Sequence, residues 1–529
     1  MNYKLRSLVA AAVAGSFMLG FGANAVADST DDIVNALIAK GVLTEEEGAL
    51  LMKGRAGEKE VAEKKKKEGV ATKIKDGAIS WETGDGRNSM ALTGRLHFDA
   101  HNSDVDFPKG QDYDKDTASA ADQFEVRRAR IGVKGKIAKD FKYEAVTNLV
   151  GGAPTIDVAY LDWAKYDKAN IRFGKFKQPF NLEELTSSNN IDFMERSYVN
   201  QLAPAKKLGM MVSGEGTPGF TYAASAFQFN DSEQDYENND MSYAGRATLN
   251  FAELMGNKDA IYHVGLSGFD NSYTVRGTTS SSTSGGTGTS GTVLAYRSAN
   301  RGLANIFRAQ IQGEAAGSNL QSATSDKTSN IDSKAMGLEG VFAMGPFKFQ
   351  TEYVNADFKA DYNNVAKMEL DTNAWYAEAM WLITGEKYAD SYKKGAFGAI
   401  KPKNEFDLDG GGSGWGAWEV GFRVEGYDVD NGSISGGSSA SRYQGNLNCN
   451  GVSSAAATAN SSQTSSKSEC QSGAKSYTAG LKWILNPNLL FKLNYTHTKF
   501  DYKWDHFDVS GTKFLKDEDI MSLRGQWTF

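Results

Sequence analysis

From about Trp81 to the last residue the chain alternates apolar and polar side chains with a period of two, the mark of strands with one greasy face. Trp418, Val420, Phe422 and Val424 alternate with Glu419, Gly421, Arg423 and Glu425. Tyr477, Ala479, Leu481 and Trp483 lie opposite Thr478, Gly480 and Lys482, and Leu489, Phe491, Leu493 and Tyr495 alternate with Leu490, Lys492, Asn494 and Thr496. Ahead of this region the period changes. Ile33, Val34, Leu37 and Ile38 repeat at helical spacing up to Gly41, and Thr44 with Glu47 forms a capping box before Ala49, Leu50, Leu51 and Met52. A charged run through Lys64–Lys67 then reads as a solvated helix or a linker.

A soluble β-sandwich alternates too, so the pattern alone does not say what solvent the apolar face meets. Three features point to lipid. Trp163, Trp375, Trp381, Trp418, Trp483 and Trp527 sit at predicted strand ends, where interfacial girdles belong. Tight links such as Asn486-Pro487-Asn488 alternate with long Gly/Ser/Thr/Asn stretches such as Thr278–Thr292 and Ser433–Ser476, as periplasmic turns alternate with external loops. The chain also ends on an amphipathic strand, with Met521, Leu523, Trp527 and Phe529 on one face and Ser522, Arg524, Gln526 and Thr528 on the other. A final strand stopping on Phe resembles the assembly signal of bacterial outer-membrane barrels, with Trp527 and Phe529 carrying it.

Composition agrees. The 529 residues include 56 Gly, only 8 Pro and 11% aromatics, at a mean hydropathy of −0.46. No mature stretch supplies the roughly 20 apolar residues of a spanning helix, whereas a spanning strand needs only about 10, every second one apolar. The expected fold class is all-β: a transmembrane antiparallel β-barrel over 81–529, preceded by a helical, charged periplasmic segment over 28–80. Residues 1–27 read as a signal peptide, with Lys4 and Arg6 ahead of an apolar stretch and Ala25-Val26-Ala27 as the cleavage site. The expected location is therefore the outer membrane of a Gram-negative bacterium.

The net charge of −7 argues against a nucleic-acid partner, but says little about a pore, whose selectivity depends on the charges lining it. The two cysteines, Cys449 and Cys470, lie within the Ser/Ala/Asn-rich stretch 433–476 and read as a disulfide closing an exposed loop. No histidine accompanies them, so no metal site and no cofactor is expected. His97, His101, His263, His497 and His506 fall in no recognisable catalytic motif, and His97 and His101 read as strand or loop residues near the barrel rim. No enzymatic activity is expected.

Several stretches resemble the phosphate-selective porin O and P family. They are Glu125-Val126-Arg127-Arg128-Ala129-Arg130-Ile131-Gly132, Arg172-Phe173-Gly174-Lys175-Phe176, Phe180-Asn181-Leu182-Glu183-Glu184-Leu185-Thr186-Ser187-Ser188 and Met194-Glu195-Arg196-Ser197. Trp381–Glu386, Ile400-Lys401-Pro402, Gly416-Ala417-Trp418-Glu419 and the Asn486-Pro487-Asn488 turn continue the series, so that the resemblance runs from about Leu92 to Phe529 and leaves out the N-terminal helical region. It implies about sixteen strands, a homotrimer, and a constriction loop at about 178–207 folded into each pore. The permeants it implies are small anions, with phosphate or polyphosphate leading. Outer-membrane lipid, lipopolysaccharide and the barrel-assembly machinery are the other expected partners.

Parity assigns the ionic side chains. If Ile131 and Val133 face lipid, Arg128, Arg130, Lys134 and Lys136 face the lumen, since a charge at mid-bilayer costs about 2–4 kcal/mol. Arg127 has the wrong parity, and the family's paired constriction arginines imply a bulge at Arg127 and Arg128. Arg172, Arg423, Lys482, Lys492 and Arg524 also point inward, beside Glu419 and Glu425. In the constriction loop, Lys177, Arg196, Lys206 and Lys207 accompany Glu183, Glu184, Asp192 and Glu195; phosphate-selective members carry lysine where this chain has Glu184. Arg95 and Lys175 complete the anion-path candidates. The family's inward arginine ladder would map onto Arg276, Arg297, Arg301 and Arg308, which read equally as charges of an external loop, about 276–302, that bridge lipopolysaccharide. Three readings remain: an anion-preferring porin, a general or differently selective porin whose wall charges simply keep a wide lumen hydrated, and a surface anchor with binding loops.

Overall fold

The computed structural model describes residues 29–53, 69–75, 78–106, 122–229, 241–275, 290–299, 306–312, 329–362, 366–407, 414–435, 447–449, 467–501 and 517–529. The signal-peptide reading, Lys64–Lys67, Arg276, Arg301 and His506 lie outside the described residues, as do the side chains of Cys449 and Cys470. The N-terminal helical region forms one unit. Its helix α1, Ser29–Ala39, is followed by Gly41 at φ 70° and a second helical run over 45–53. The capping box is present: the Thr44 N–H donates to the Glu47 carboxylate at 3.0 Å, and the Glu47 N–H donates to Thr44 Oγ1 at 3.2 Å. A Cβ at Gly48 would lie 2.3 Å from Ile38 Cδ1, so any larger residue there would push the Ile38 side chain aside.

Two short strands, Val70–Lys75 and Ala78–Thr83, precede the barrel in the chain. Its strands are β1 Ser89–Asp106, β2 Gln123–Ile137, β3 Phe141–Asn148, β4 Thr155–Tyr166, β5 Ala169–Lys177, β6 Lys206–Thr217, β7 Phe220–Gln228 and β8 Ser242–Asn250. They continue as β9 Ala260–Val275, β10 Ser329–Met344, β11 Phe347–Tyr362, β12 Ala366–Leu382, β13 Ala417–Ser435, β14 Lys467–Ile484, β15 Leu489–Asp501 and β16 Asp517–Thr528. Each pairs antiparallel with the next, and β16 closes on β1, from Asp517 opposite Asp106 to Thr528 opposite Arg95. The first barrel strand thus begins at Ser89, eight residues beyond the boundary expected at 81. Phe529 locks the seam by exchanging backbone hydrogen bonds with Gly94 at 2.9 and 3.2 Å.

The faces follow the predicted parity. Leu338, Phe342, Phe349, Phe422, Met521 and Leu523 are exposed on the outside, and Arg423, Lys482, Lys492 and Arg524 are buried inside. On β10 to β12 the outer face changes from apolar to charged above Met336, Tyr353 and Trp375; Lys334, Asp357 and Asp371 follow. The strands therefore outrun an apolar band of about 25 Å and stand clear of the lipid. Trp375, expected at a strand end, instead sits within β12, while Trp381, Trp418, Trp483 and Trp527 mark the other boundary.

Short links (138–140, 167–168, 218–219, 345–346, 485–488) gather at the end where the chain closes, and the links 107–122, 178–205, 276–328 and 436–466 lie at the other. In the Asn486–Asn488 turn, Asn486 Oδ1 accepts the N–H groups of Asn488 and Leu489, both at 2.9 Å. Not every link follows the expected rule. Residues 383–416 form a long connection at the short-turn end, and Tyr388 and Phe397 from it pack into a buried cluster with Leu182, Val341, Met380 and Leu382.

The long loops also differ from expectation. Strands β13 and β14 extend to Ser435 and start at Lys467, so the connection expected over 433–476 spans only 436–466. Strands Ser290–Tyr296, Phe307–Gln312 and Leu447–Cys449 form a three-stranded antiparallel sheet. Val293, Leu294, Tyr296 and Phe307 of that sheet pack against the inward side chains Val354, Phe358, Leu370 and Tyr427. The polar low-complexity composition around 276–302 concealed this apolar core. The inner face of β10 to β13 is correspondingly greasy in its upper half, not ionic throughout.

Candidate functional site

The loop 178–205 between β5 and β6, here L3, folds into the barrel and is bolted to one side of it. Lys348 of β11 donates to Asp192 at 2.5 Å, with Lys482 of β14 at 3.5 Å from the same carboxylate. Lys492 of β15 donates to the Ile191 carbonyl at 2.5 Å and to that of Phe193 at 3.1 Å. Arg423 of β13 reaches Glu183 at 3.3 Å and the Glu195 carbonyl at 3.1 Å, and lies 4.8 Å from the Phe193 ring centre. Glu352 of β11 accepts the Leu182 and Glu183 N–H groups, both at 2.8 Å, and Glu425 accepts that of Tyr198 at 2.8 Å. The inward cations of the late strands therefore hold a loop; they do not face water. Arg423, expected on the anion path, is only 3% exposed and is not among the residues that line the cavity described below.

Arg524 of β16 is the firmest bolt. It forks onto Asp99 at 2.7 and 2.6 Å, reaches Glu195 at 3.0 Å and donates to the Met194 carbonyl at 2.6 Å, with its own and the Asp99 side chain both fully buried.

Open space lies along the opposite wall. A cavity of about 880 Å³ runs beside β1 to β8 and L3. Ten cations line it against three carboxylates, Glu144, Asp157 and Glu184. Of the sequence candidates, Arg95, Arg128, Arg130, Arg172, Lys175, Lys177 and Arg196 line this cavity, as does Lys206. Arg246 and Lys394 line it as well and were missed: Arg246 sits in the weakly patterned Ser242–Asn250 strand, and Lys394 in the connection 383–416.

These cations differ in how far their charge is spoken for. Arg130 and Lys206 share Asp157, at 2.9 and 2.5 Å. Arg172 forks onto Asp162 at 2.6 and 2.8 Å and lies 3.8 Å above the Tyr160 ring. Glu184 sits between Lys177 at 3.8 Å and Arg196 at 3.6 Å, and Arg246 is paired with Glu339 at 2.5 Å. Arg95 donates to Ser188 Oγ at 2.8 Å, and Arg128 approaches only His97 Nδ1, at 3.4 Å. Neither has a carboxylate within ion-pair distance among the described residues.

The expected bulge is present. His97 of β1 lies opposite Arg128 and Phe98 opposite Val126, so Arg127 is the extra residue of β2. The bulge turns both arginines inward. Arg127 then forks onto Glu195 at 2.9 and 3.0 Å and is absent from the cavity lining. Arg297 is exposed on the inserted sheet, its backbone exchanging hydrogen bonds with the Gln201 side chain at 2.8 and 2.7 Å.

His97 and His101 are not rim residues. His97 is fully buried beside L3; His101 bonds Ser522 Oγ at 2.8 Å and lies 3.5 Å from Glu125 and 3.8 Å from Asp99. The Asp99 carboxylate is already committed to the Arg524 fork, so these groups form an ionic seam between β1, β2 and β16. His263 spans Glu339 at 2.9 Å and Tyr392 at 2.6 Å, and His497 pairs with Asp519 at 2.9 Å.

A closed sixteen-stranded antiparallel barrel with an apolar outer band, an inward-folded constriction loop and a charged lumen defines an outer-membrane porin. The chain belongs to the phosphate-selective porin O and P family, which matches residues 90–529. It is 27% identical over 373 residues to Porin O of Pseudomonas aeruginosa, covering 68% of this chain and 77% of that protein. Among solved structures it is similar to an anion-selective porin from Comamonas acidovorans (TM-score 0.44, 10% identity, 84% of this chain and all of that one). It is also similar to OmpT, an outer membrane protein of Vibrio cholerae (TM-score 0.43, 10% identity, 84% and 98%).

Proposed function

We propose that this porin passes small anions by diffusion, with phosphate and polyphosphate as preferred solutes, and that it works as a homotrimer without enzymatic activity. The observation that carries the reading is the ten-to-three excess of cations over carboxylates along the 880 Å³ path, in a chain whose net charge is −7. Within that excess, Arg95 and Arg128 have no carboxylate within ion-pair distance among the described residues. A fork matches the oxygens of a phosphate and replaces part of its hydration. The paired cations Arg130, Arg172 and Lys206 supply a weaker, extended field, which lets the ion leave again.

A unit charge pair at about 4 Å is worth roughly 1 kcal/mol in bulk water and about 4 kcal/mol near a protein surface. Loss of Arg95 or Arg128 is therefore expected to weaken phosphate block of chloride current by about tenfold, toward the low end of that range because the slot holds water. Reversal potentials in potassium chloride gradients test the anion preference directly. A cation-preferring potential in the unaltered protein overturns the proposal.

A second reading, a general porin, is favoured by Glu144, Asp157 and Glu184 on the same wall. It predicts that Arg128→Glu changes ion preference only modestly. On either reading the apolar outer band and the Trp527–Phe529 strand end serve lipid contact and recognition by the assembly machinery, with the outer charged rows standing where lipopolysaccharide head groups lie.

A further inference from the structure

We propose that His97 is a positioning residue for Arg128, its ring held for that role by a hydrogen bond from Nε2–H to Asn189 of L3. The inference rests on the reading of Arg128 as part of the anion path. His97 lies directly across the β1–β2 ladder from Arg128 and is fully buried. Its Nδ1 is 3.4 Å from Arg128 Nη1, and its Nε2 is 3.2 Å from Asn189 Oδ1. Among the described residues it is the one group that hydrogen-bonds the Arg128 head.

The hydrogen assignment follows from chemistry. A guanidinium has five donors and no acceptor, so Nδ1 must be the bare nitrogen. An imidazolium has donors on both nitrogens, which excludes the protonated ring in this contact. The single remaining hydrogen is then on Nε2, and Asn189 must turn its amide oxygen, not its NH₂, toward the ring. The three groups allow one pattern only. The strongest charge effects at the ring come from the cations Arg524, Arg128, Lys492 and Arg95, with Asp99 and Glu195 bonded to Arg524 beside them, and the net surroundings suit a neutral imidazole.

The Asn189 backbone is itself held: its main-chain carbonyl accepts from Gln526 Nε2 at 3.0 Å, and its main-chain N–H donates to Ser187 Oγ at 3.4 Å. L3 therefore does more than narrow the lumen. Through Asn189 it also supports the ring that holds the Arg128 guanidinium, which has no carboxylate within ion-pair distance among the described residues.

The test uses the full-length porin in planar bilayers, with inorganic phosphate as the blocker of chloride current. His97→Leu is expected to raise the half-blocking phosphate concentration about tenfold while the unblocked conductance stays within about twofold, since a hydrogen bond to a charged group is lost without loss of the charge. His97→Gln restores block to within about threefold of the parent, because its amide can accept from Arg128 and donate to Asn189. Block by His97→Leu at the parent concentration, or His97→Gln as impaired as His97→Leu, overturns the positioning role. Arg128→Ala separates the two claims: unchanged block there removes Arg128 from the anion path, whereas weakened block beside an unaffected His97→Leu removes only His97. Nitrogen-15 solid-state NMR of the unaltered protein is independent of any variant: a neutral ring with hydrogen on Nε2 supports the assignment, and an imidazolium or the Nδ1–H tautomer refutes it.

Discussion

Replacing Arg524 with Met probes the constriction loop and the barrel seam together. Arg524 stands opposite Asp99 where β16 closes on β1, and its fork is the fully buried carboxylate's ion-pair partner. A methionine of similar reach fills the space but leaves Asp99 charged, buried and without that partner. Breaking a buried pair from one side costs about 3–5 kcal/mol, mostly the penalty of the stranded charge. At roughly 2 °C per kcal/mol for a chain of this size, the temperature at which the folded band is lost on SDS gels should fall by about 6–10 °C. The same change removes the bonds to Met194 and Glu195, so current through single pores should become noisier as that part of L3 loosens. Adding Asp99→Leu to Arg524→Met removes the stranded charge and should recover more than half of the lost stability. An Arg524→Met barrel that melts like the parent would refute the reasoning, as would a double variant whose two losses simply add.

Three further outcomes are expected. Tyr296 is fully buried, stacks on Tyr427 at 3.8 Å and bonds Thr372 at 2.8 Å, so Tyr296→Ala should cost about 3–5 kcal/mol of packing and detach the inserted sheet. A stepwise rise in single-channel conductance would report it; unchanged conductance would mean the sheet does not obstruct flow. Glu184→Lys should strengthen phosphate block at the cost of thermal stability, because it adds a cation to the lumen while setting Lys177 and Arg196 against a like charge; block unchanged within error would count against the anion path. In the N-terminal helices, the Thr44 N–H and hydroxyl hold the Glu47 carboxyl below its ordinary value. A depressed carboxyl supports the helix above its unfolded value and loses that support as pH falls through the lowered one. Hydrogen exchange over residues 45–52 should therefore be faster in Glu47→Ala than in the parent at pH above the carboxylate range and equal in the two at about pH 2; a difference surviving there would refute the cap.

Much of the barrel was legible in the chain because a membrane strand meets two different solvents and alternation records them residue by residue. The parity of Arg423, Lys482, Lys492 and Arg524, the tight Asn486–Asn488 turn, the closing Trp527–Phe529 strand and the Thr44–Glu47 cap are all local facts, and all agree with the fold. What alternation records is the direction of a side chain, not its partner. Whether an inward cation meets water or a loop depends on where L3 lies, and L3 is placed by groups some 150 to 330 residues away in sequence, such as Lys348 on Asp192 and Arg524 on Met194. Only the tertiary structure therefore divides the wall into cations that bolt the loop and cations that line the path. The inserted sheet is the same lesson with the opposite sign: Val293, Tyr296 and Phe307 are apolar residues scattered through a Ser/Gly-rich stretch, and they acquire a core only when the greasy upper wall of β10 to β13 faces them.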